Sequence, residues 1–448
     1  MRYKNAELRD VLSFRERKSF IQEGMNKEGL TTIALSLNVP GPEKRSKRLD
    51  YLFRRSVEAL EELLSENRVN ILKRDMIAEY GGETLILAVE GDPGKIKDMV
   101  MSLELAEPVG RFLDCDVNRP DGSKVSRVER GFPSRKCYLC GNDAKICGRS
   151  RAHSVEELFS FMNREIDGWM REETEDRITE AARSSLTEEL MTNPKPGLVD
   201  PSSSGAHDDM NEETFLKSID VIVPHIRNMC LLAYDTEDPD FLHDGLRVEG
   251  LDTEKDMYAA TGGVNTHKGA IFTLGVLSAA AVRTFKEDKV SPMDLRTELG
   301  KVLGPFRKEL LHIRDARTNG EKAYLNVHGS GIRGEVETCY GSIFETGLPA
   351  LTEAAEAGLS PNDMKLFCLI SLMAVTEDSN ILKRSGIEGL EKVKKDAQKL
   401  RNIELFRKGE HIDILKRLDA EYSRLGISGG GSGDLLAASL FVYMLFGG

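Results

Sequence analysis

The apolar periodicity of this chain changes near residue 155, and that change constrains the fold more than any other feature. Before it, short runs with strand character, such as ETLILAVEG and GRFLDCDV, are bounded by glycine and lie between charged helical segments. After it, long stretches repeat apolar residues at helical spacing, as in KGAIFTLGVLSAAAVRTF and DLLAASLFVYMLF. The pattern predicts a multidomain protein, with an N-terminal α/β domain over residues 1–160 and an all-α C-terminal domain over residues 161–448.

Charge and cysteine content argue against several classes of protein. The net charge of −12 and the pI near 5.4 disfavour general nucleic-acid binding. Residues 1–165 hold 29 basic and 27 acidic side chains and the remainder holds 33 and 47, which suggests domains with different partners. Seven cysteines in 448 residues indicate reduced thiols in a cytoplasmic protein. The richest apolar run, LFCLISLMAV, is too short to span a membrane.

Glycines and polar residues crowd the place where one apolar helix should begin, in TGGVNTHKGAIFTLG at residues 261–275. Free backbone N–H groups and the helix dipole make a helix N-terminus an anion site, and Thr266 is expected to cap this one. The glycines let the backbone approach a ligand closely, while neighbouring side chains donate hydrogen bonds. The expected phosphate ligands are Gly262, Gly263, Asn265, His267 and Lys268.

A second helix entrance, meaning a glycine-rich segment that leads into an apolar helix, lies near the C-terminus. ISGGGSGDLLAASLF places Gly430, Gly431 and Ser432 before another apolar helix and adds them to the expected phosphate ligands. Either entrance alone is equally explained as a tight turn, and the first is not a Walker A loop because no Ser or Thr follows Lys268. The segment GSGIRG at 329–334 fits a dinucleotide-binding pattern, but no βαβ unit is predicted around it.

The loop NPKPGLVDPSSSGAHDDM, residues 193–210, collects charged residues between prolines and glycines. Its adjacent carboxylates, Asp208 and Asp209, suit Mg²⁺, which usually accompanies polyphosphates. Lys195 and His207 are the expected substrate ligands in the same loop. The alternative is that the acidic residues only cap the helix that follows.

Five motifs occur in an order that resembles the triphosphoribosyl-dephospho-CoA synthase family: NPKPGLVDPSSSGAHDDM, TGGVNTHKGAIFTLG, GSGIRGE, EDSNILKRSG and SGGGSGDLLA. The resemblance covers about residues 175–448. It implies that this half of the chain joins the ribose of ATP to the 2′-hydroxyl of 3′-dephospho-CoA and expels adenine. ATP and 3′-dephospho-CoA would then be substrates, and the helix entrances would hold the triphosphate that the reaction leaves intact.

The chemistry implied by this resemblance needs a general base for the attacking hydroxyl and is helped by protonation of the leaving adenine. Asp208 and Asp209 are the expected metal ligands, and one of them is the expected base. Arg333 is a further expected substrate ligand, whereas Glu335 either takes part in the chemistry or pairs with an arginine. Asp434 is expected to favour the dipole of the last helix.

GRFLDCDV places Asp114 and Asp116 two apart in a predicted strand, so both carboxylates face one side and Cys115 faces the other. Two such carboxylates can hold Mg²⁺ for nucleotidyl transfer, although an isolated D-x-D pattern is commonly surface charge. The same part of the chain contains VLSFRERKSFIQ, LSLNVPGPEKRS and RKCYLCGNDAKICGRSRAH. Together with GRFLDCDV, these motifs resemble the apo-citrate lyase phosphoribosyl-dephospho-CoA transferase family over about residues 8–160. The resemblance implies transfer of the finished nucleotide to a serine of the lyase's acyl carrier protein, with release of diphosphate. A nucleotidyltransferase-like sheet is therefore expected around the two aspartates.

A cysteine-rich segment follows these aspartates with the spacing C-x2-C-x6-C-x5-H. Such a set either completes a tetrahedral Zn²⁺ site or provides reduced buried thiols, and the sequence leaves both readings open. Two neighbouring arginines, Arg149 and Arg151, are alternative phosphate contacts. The four residues with this spacing are Cys137, Cys140, Cys147 and His153.

The basic segment EKRSKRLDYLFRR, residues 43–55, stands out in an acidic chain. It is either solvated surface or a docking face for an acidic carrier protein, reached by electrostatic steering.

The two resemblances together predict a bifunctional enzyme that makes the citrate lyase prosthetic group and attaches it, with no nucleic acid or membrane as partner. Three alternatives remain at this point. The same chemistry would serve a malonate decarboxylase carrier protein. An active synthase would carry an N-terminal module that binds the carrier without catalysis. A small-molecule kinase would use the glycine-rich entrances for ATP.

Overall fold

The computed structural model of the chain describes residues 4–287, 289–311 and 331–447. The chain divides into two compact units, 1–173 and 174–448. The division falls inside one long helix, Val155–Met191, C-terminal to the position expected from the sequence. The first two residues of GSGIRG lie outside the described residues.

The first unit combines helices with a four-stranded antiparallel sheet, as the mixed sequence pattern predicts. The strand order is β2-β3-β1-β4, so β2 and β4 are the edges of the sheet. The elements are α1 (Leu8–Lys27), β1 (Thr31–Leu37), α2 (Lys47–Glu66), β2 (Ile71–Glu79), β3 (Gly82–Val89), α3 (Pro93–Leu105), β4 (Leu113–Asn118), α4 (Ala144–Ser150) and the first part of α5 (Val155–Met191).

Helices cover both faces of this sheet, which explains why the two central strands are buried along most of their length. Phe14 and Met25 of α1 pack on one face against Ala34 and Ile86. On the other face, apolar residues of α2 and α3 pack against alternate residues of β1, β3 and β4. The edge strand β4 follows the same alternation, since Leu113, Cys115 and Val117 are buried and the residues between them are not.

The basic segment at 43–55 is engaged within the first unit. Arg45 pairs with Asp50 and Glu83 at 2.9 Å, and the Lys44 ammonium donates to the Val39 carbonyl at 2.6 Å. Further along, Arg48 pairs with Asp167 and Arg55 with Glu173, both on α5. Intramolecular carboxylates therefore offset much of the positive charge that the docking hypothesis needs.

The elements that the structure describes in the second unit are helices, joined by loops that include one isolated β-bridge between Asp200 and Ser203. A π-helical turn at Ile343–Gly347 leads directly into one of its helices. The remaining elements are α6 (Glu212–Asp235), α7 (Pro239–Ala260), α8 (Lys268–Lys286), α9 (Pro292–Val302), α10 (Gly304–Leu311), α11 (Gly331–Thr338), α12 (Leu348–Glu356), α13 (Pro361–Met373), α14 (Ser379–Leu400), α15 (Ile403–Arg407), α16 (His411–Leu425) and α17 (Gly430–Phe446).

Helices α8 and α17 form the centre of the second core. Almost every α8 residue from Ala270 to Phe285 is buried, and α17 is buried from Ser432 to Val442 with only Asp434 partly accessible. Helix α8 is long and apolar enough to cross a membrane, but 83% of its most apolar window is covered by the rest of the fold. It is therefore explained as a core helix, and its first turn is held at a fixed place inside the unit.

Candidate active sites

The first glycine-rich entrance leads into α8 as the sequence predicts, but its cap differs from the predicted one. Thr266 does not cap the helix, because its hydroxyl donates to Ser218 at 2.8 Å. The Asn265 side chain instead accepts the Lys268 N–H at 3.2 Å. Gly262 and Gly263, with φ of +70° and +91°, turn the chain toward this helix in a conformation that favours glycine. Both glycines are exposed, as are Asn265 and Lys268, whose ammonium pairs with Glu254 at 2.5 Å.

His267 is buried at this entrance with one ring nitrogen lacking a partner. Its Nδ1 lies 2.7 Å from the Ser218 hydroxyl, which also accepts the Thr266 hydroxyl proton. With the Ser218 hydroxyl assigned as the donor to Nδ1, the imidazole proton lies on Nε2. No partner meets Nε2 among the described residues. Burial, and then the charge of Lys195, lowers the pKa of His267 to about 3, so the ring is a neutral donor near neutral pH.

The second glycine-rich entrance meets the first through a carboxylate. Asp434, in the first turns of α17, lies against the first turn of α8 at Gly269. The contact is so close that a Cβ atom at Gly269 would lie 1.9 Å from the Asp434 carboxylate. Asp434 therefore acts on the dipole of α8, whereas the sequence suggested the dipole of its own helix.

Asp378 links the N-terminus of α17 to the N-terminus of a third helix, α14. It caps α14 by accepting the Asn380 N–H at 2.9 Å, and its second oxygen accepts the Ser432 N–H of α17 at 2.9 Å. A Cβ atom at Gly431 would lie 3.0 Å from this oxygen, a tight contact that favours glycine at this position. The N–H groups of Gly430 and Gly431 meet no acceptor among the described residues. The N-termini of α8, α14 and α17 thus converge, with free donors remaining on α17.

Three carboxylates are close neighbours at this convergence. Burial, and then repulsion by Glu189 and Asp378, raises the pKa of Asp434 well above its usual value. Burial also raises the pKa of Asp378. Lys195, which the sequence placed among the substrate ligands, is fully buried and donates to the Glu189 carboxylate at 2.6 Å. Its charge is therefore used inside the fold to balance one of the three acids.

The loop at 193–210 packs against the second entrance. His207 lies 2.8 Å from the Ser428 hydroxyl and 3.4 Å from the Arg384 guanidinium. Burial, and then the charge of Arg384, lowers the pKa of His207. Asp208 and Asp209 follow on the exposed side of the loop, and Asp209 lies 3.9 Å from the His207 ring. This aspartate pair is thus accessible beside the convergence, and its metal-binding role remains a prediction.

The segment that begins at Gly331 also lies near the convergence of the three helix N-termini. The Gly331 N–H donates to the Glu377 carbonyl at 2.9 Å, and Arg333 follows on the same short helix, α11. Glu335, which the sequence left between chemistry and an ion pair, accepts the Ser342 hydroxyl at 2.5 Å. The described residues of all five motifs that carried the resemblance are therefore brought together. Sequence reasoning gave no role to Asp378 or Glu189, although Asp378 lies within the quoted EDSN motif.

A second acidic site lies in the first unit, on the polar side of β4. Asp114 and Asp116 share that side and Cys115 faces the core, as the period of a strand predicts. Lys18 and Lys124 pair with Asp116 at 3.8 Å and 2.6 Å. Loss of hydration, and then repulsion by Asp116, raises the pKa of Asp114. The two carboxylates form a compact acidic pair among cations.

Arg135 links this pair to a buried acid that the sequence did not single out. Its guanidinium donates to Asp114 at 2.9 Å and lies 3.1 Å from Glu104. Glu104 in turn accepts the Cys115 N–H at 2.9 Å along the open edge of the sheet. The predicted cysteine set lies directly after Arg135 in the chain. Ligand atoms of Cys137, Cys140, Cys147 and His153 all lie within 4.8 Å of one another.

The parts of the chain that hold the two candidate sites match two known families. The family described as ATP:dephospho-CoA triphosphoribosyl transferase (CitG) matches residues 175–448, which hold the convergence of helix N-termini. This chain belongs to that family. Residues 6–169 match a second family, the apo-citrate lyase phosphoribosyl-dephospho-CoA transferases (CitX). The chain is therefore a bifunctional transferase of citrate lyase prosthetic-group biosynthesis, with a CitX domain preceding a CitG domain.

Relatives with the same two-domain order extend over almost the whole chain. "Protein CitXG" of Leuconostoc mesenteroides subsp. cremoris is 31% identical over 98% of this chain and 97% of its own length. "Protein CitXG" of Haemophilus influenzae is 28% identical over 97% and 95%. A 2-(5″-triphosphoribosyl)-3′-dephosphocoenzyme-A synthase of Klebsiella pneumoniae is 36% identical over 60% of this chain and 90% of its own length.

Proposed function

We propose that the CitG domain converts ATP and 3′-dephospho-CoA to 2′-(5″-triphosphoribosyl)-3′-dephospho-CoA and adenine. The CitX domain then transfers this nucleotide to a serine of the citrate lyase acyl carrier protein and releases diphosphate. The product of the second domain is thus the substrate of the first. Both family matches support this order of reactions.

The convergence of the α8, α14 and α17 N-termini is the observation that carries the first reaction. The free N–H groups of Gly430 and Gly431 suit the triphosphate, which gains from the positive end of the α17 dipole. His267 holds its Nε2–H as a neutral donor in the same region. The proposed phosphate ligands at the exposed rim are Gly262, Gly263, Asn265, Lys268 and Arg333.

Asp434 is proposed as the proton donor to the leaving adenine. Its raised pKa keeps the carboxyl group protonated at higher pH than an ordinary aspartic acid, and general acids work best in that state. Asp208 and Asp209 are proposed to hold Mg²⁺, which commonly takes one or two protein carboxylates and completes its shell with water and phosphate. Bound there, the ion would neutralise part of the triphosphate charge. One of the two aspartates is the proposed base for the 2′-hydroxyl.

Asp114 and Asp116 are proposed to hold Mg²⁺ for the transfer reaction in the CitX domain, on what would be a nucleotidyltransferase-like sheet. Their common face on β4 fits such an ion, since both carboxylates project to the same side. The ion would offset the charge of the diphosphate that leaves. Lys18, Lys124 and Arg135 surround the pair and are placed to contact phosphate oxygens as well.

Replacement of Asp434 by asparagine tests the first reaction. The substitution removes the acidic proton but keeps the shape of the side chain, so adenine release should fall at least about a hundredfold, in line with the usual contribution of a general acid. Chromatography of adenine from ATP and 3′-dephospho-CoA measures this loss. Asp413→Asn, on the exposed side of α16, is the matched control and should leave the rate unchanged. Adenine release by Asp434→Asn at the control rate would exclude this role.

A further inference from the structure

The chain turns tightly around the first two cysteines of the cluster. Cys137 is buried, and its carbonyl accepts the Gly141 N–H at 3.3 Å across the turn. Gly141 follows with φ of +70°, and the chain then returns so that the Cys137 N–H donates to the Asn142 carbonyl at 2.7 Å. The turn therefore holds Cys137 and Cys140 on one short loop, as a C-x2-C pair of metal ligands requires.

A short helix supplies the other two residues of the cluster. Asp143 caps α4, which carries Cys147, and the Cys147 sulfur lies 3.4 Å from that of Cys137. The helix ends at Arg151 in the left-handed conformation, with the Ala152 N–H donating to the Cys147 carbonyl at 3.3 Å. This reversal directs the next residue, His153, back toward Cys147.

His153 is fixed from both sides and yet has an unsatisfied nitrogen. Immediately after it, Ser154 and Glu157 form a reciprocal cap for α5, with distances of 2.8 Å and 3.1 Å. The His153 Nε2 atom is buried and has no hydrogen-bond partner among the described residues. A buried imidazole nitrogen without a partner costs free energy unless a ligand binds it.

We propose that Cys137, Cys140, Cys147 and His153 bind one structural Zn²⁺ ion. The sulfur separations of 3.4 Å and 4.0 Å bracket the roughly 3.8 Å expected for thiolates at about 2.3 Å from a tetrahedral zinc. They are too long for a disulfide, whose sulfurs lie about 2.05 Å apart. Three thiolates and a neutral imidazole match the Cys₃His set of closed structural sites.

The ion would also hold the segment that reaches the transfer site. The Ala144 N–H, in the first turn of α4, donates to the Arg135 carbonyl at 2.9 Å, and the Arg135 guanidinium contacts Asp114. On the other side, the Cys137 carbonyl accepts from Arg111 at 3.3 Å and the Tyr138 hydroxyl donates to the Asn38 carbonyl at 3.0 Å. Zinc therefore fixes Arg135 as a positioning residue beside Asp114. This second part rests on the proposed transfer reaction.

Metal analysis of the full-length chain, purified without chelator from zinc-supplemented cells, tests the site itself. One zinc per chain is expected, and Co²⁺ in its place should give the strong visible absorption of a tetrahedral thiolate complex. Cys140→Ser should lose this zinc with little loss of packing, because Cys140 is exposed. Cys339→Ser, a partly buried cysteine of the CitG domain, is the matched control and should keep it. Absence of zinc together with absence of a cobalt complex would overturn the site.

Assays of the two reactions test what the metal does. Removal of zinc should reduce transfer to carrier protein at least tenfold, leave adenine release unchanged, and be reversed by added Zn²⁺. Arg135→Gln should keep the zinc and lose transfer to a similar extent. Unchanged transfer by either metal-free protein or Arg135→Gln would overturn the positioning role. If zinc-loaded wild-type protein shows no transfer at all, the proposed function of the CitX domain fails, while the zinc content still decides the metal site.

Discussion

His267 shows how a single buried residue couples the CitG site to stability. The unfolded chain takes up a proton on this imidazole near its ordinary pKa of 6.5, whereas the folded chain does so only near pH 3. Between these values the unfolded state binds more protons, so stability must fall as the pH falls. The expected slope from this residue is about 1.4 kcal/mol per pH unit. This pH dependence of stability is present below pH 6.5 and disappears only near pH 3, the pKa of His267 in the folded chain.

His267→Gln should therefore have a melting temperature that depends less on pH between 6.5 and 5 than that of the wild-type chain. His225 provides a control of opposite sign. Burial lowers the pKa of His225, but hydrogen bonds to Glu249 and Asp256 outweigh that effect and raise it. His225→Gln should thus become more sensitive to falling pH. Thermal melts of the three proteins across this range measure both effects, and equal slopes for wild type and His267→Gln would refute the assignment.

Local patterns predicted where some candidate site residues lie in the fold and missed the placement of others. The common side of Asp114 and Asp116 follows from the period of a strand, which needs no knowledge of tertiary structure. Lys195 could not be placed in this way, because its partner Glu189 lies on another element and only the fold buries the pair. Asp378 was missed for the same reason, since its second helix contact is distant in the sequence.

The junction of α8 and α17 is the decisive feature at the scale of elements. Both helices are apolar and largely buried, and their first turns meet where the unit is still accessible, since Lys268 is exposed and Gly430 and Gly431 are half-buried. Glycine at 269 permits this meeting because Asp434 occupies the space that a side chain would need. Carboxylates at helix N-termini are favoured by the dipole, which helps to hold two buried acids so close to each other.

Gly269→Ala should disrupt this junction, because its Cβ atom would lie 1.9 Å from the Asp434 carboxylate. We expect at least tenfold slower adenine release and unchanged transfer of pre-formed nucleotide to carrier protein. Gly250→Ala in α7 is the matched control, since no atom lies within 4 Å of its added methyl group. That control should gain up to about 1 kcal/mol of stability through helix propensity. Equal activity in the two variants would contradict the junction's importance.

The 3.6-residue period of apolar residues was enough to predict that helices are present, but it did not predict the residues at which they begin. Thr266 has the residue type of a cap, and yet its hydroxyl is drawn to Ser218 on α6. The N-cap position is His267, whose side chain makes no cap bond, and the Lys268 N–H is accepted by Asn265. Competition of this kind depends on which side chain happens to lie nearby in the folded unit.

At the scale of the whole molecule, each unit holds its own core and its own acidic site. The largest apolar cluster lies entirely in the second unit, and the clusters around the sheet lie in the first. The change of periodicity predicted this organisation, since a two-residue period and a 3.6-residue period demand different folds. The position of the division was harder to predict from the sequence, because α5 runs through it without a break in its helical pattern.

Variants of the two sites should therefore complement each other in a mixture. Asp116→Asn should release adenine but leave the carrier unmodified, whereas Asp434→Asn should fail to make the nucleotide. Mixed in equal amounts, the two proteins should restore carrier modification, because each retains one intact site. Mass spectrometry of the carrier measures this recovery, with each variant alone as the control. Carrier modification by Asp116→Asn alone would show that Asp116 is not needed for transfer.

The most direct test of two consecutive reactions in one chain is to measure adenine and diphosphate in the same incubation. Purified protein with ATP, Mg²⁺ and 3′-dephospho-CoA should release adenine and form a heavier CoA derivative, with no diphosphate. Addition of apo-carrier protein should then release one diphosphate for each carrier serine modified. ADP without adenine would contradict the synthase reaction and indicate a kinase. Adenine with an unmodified carrier and no diphosphate would contradict catalysis by the CitX domain.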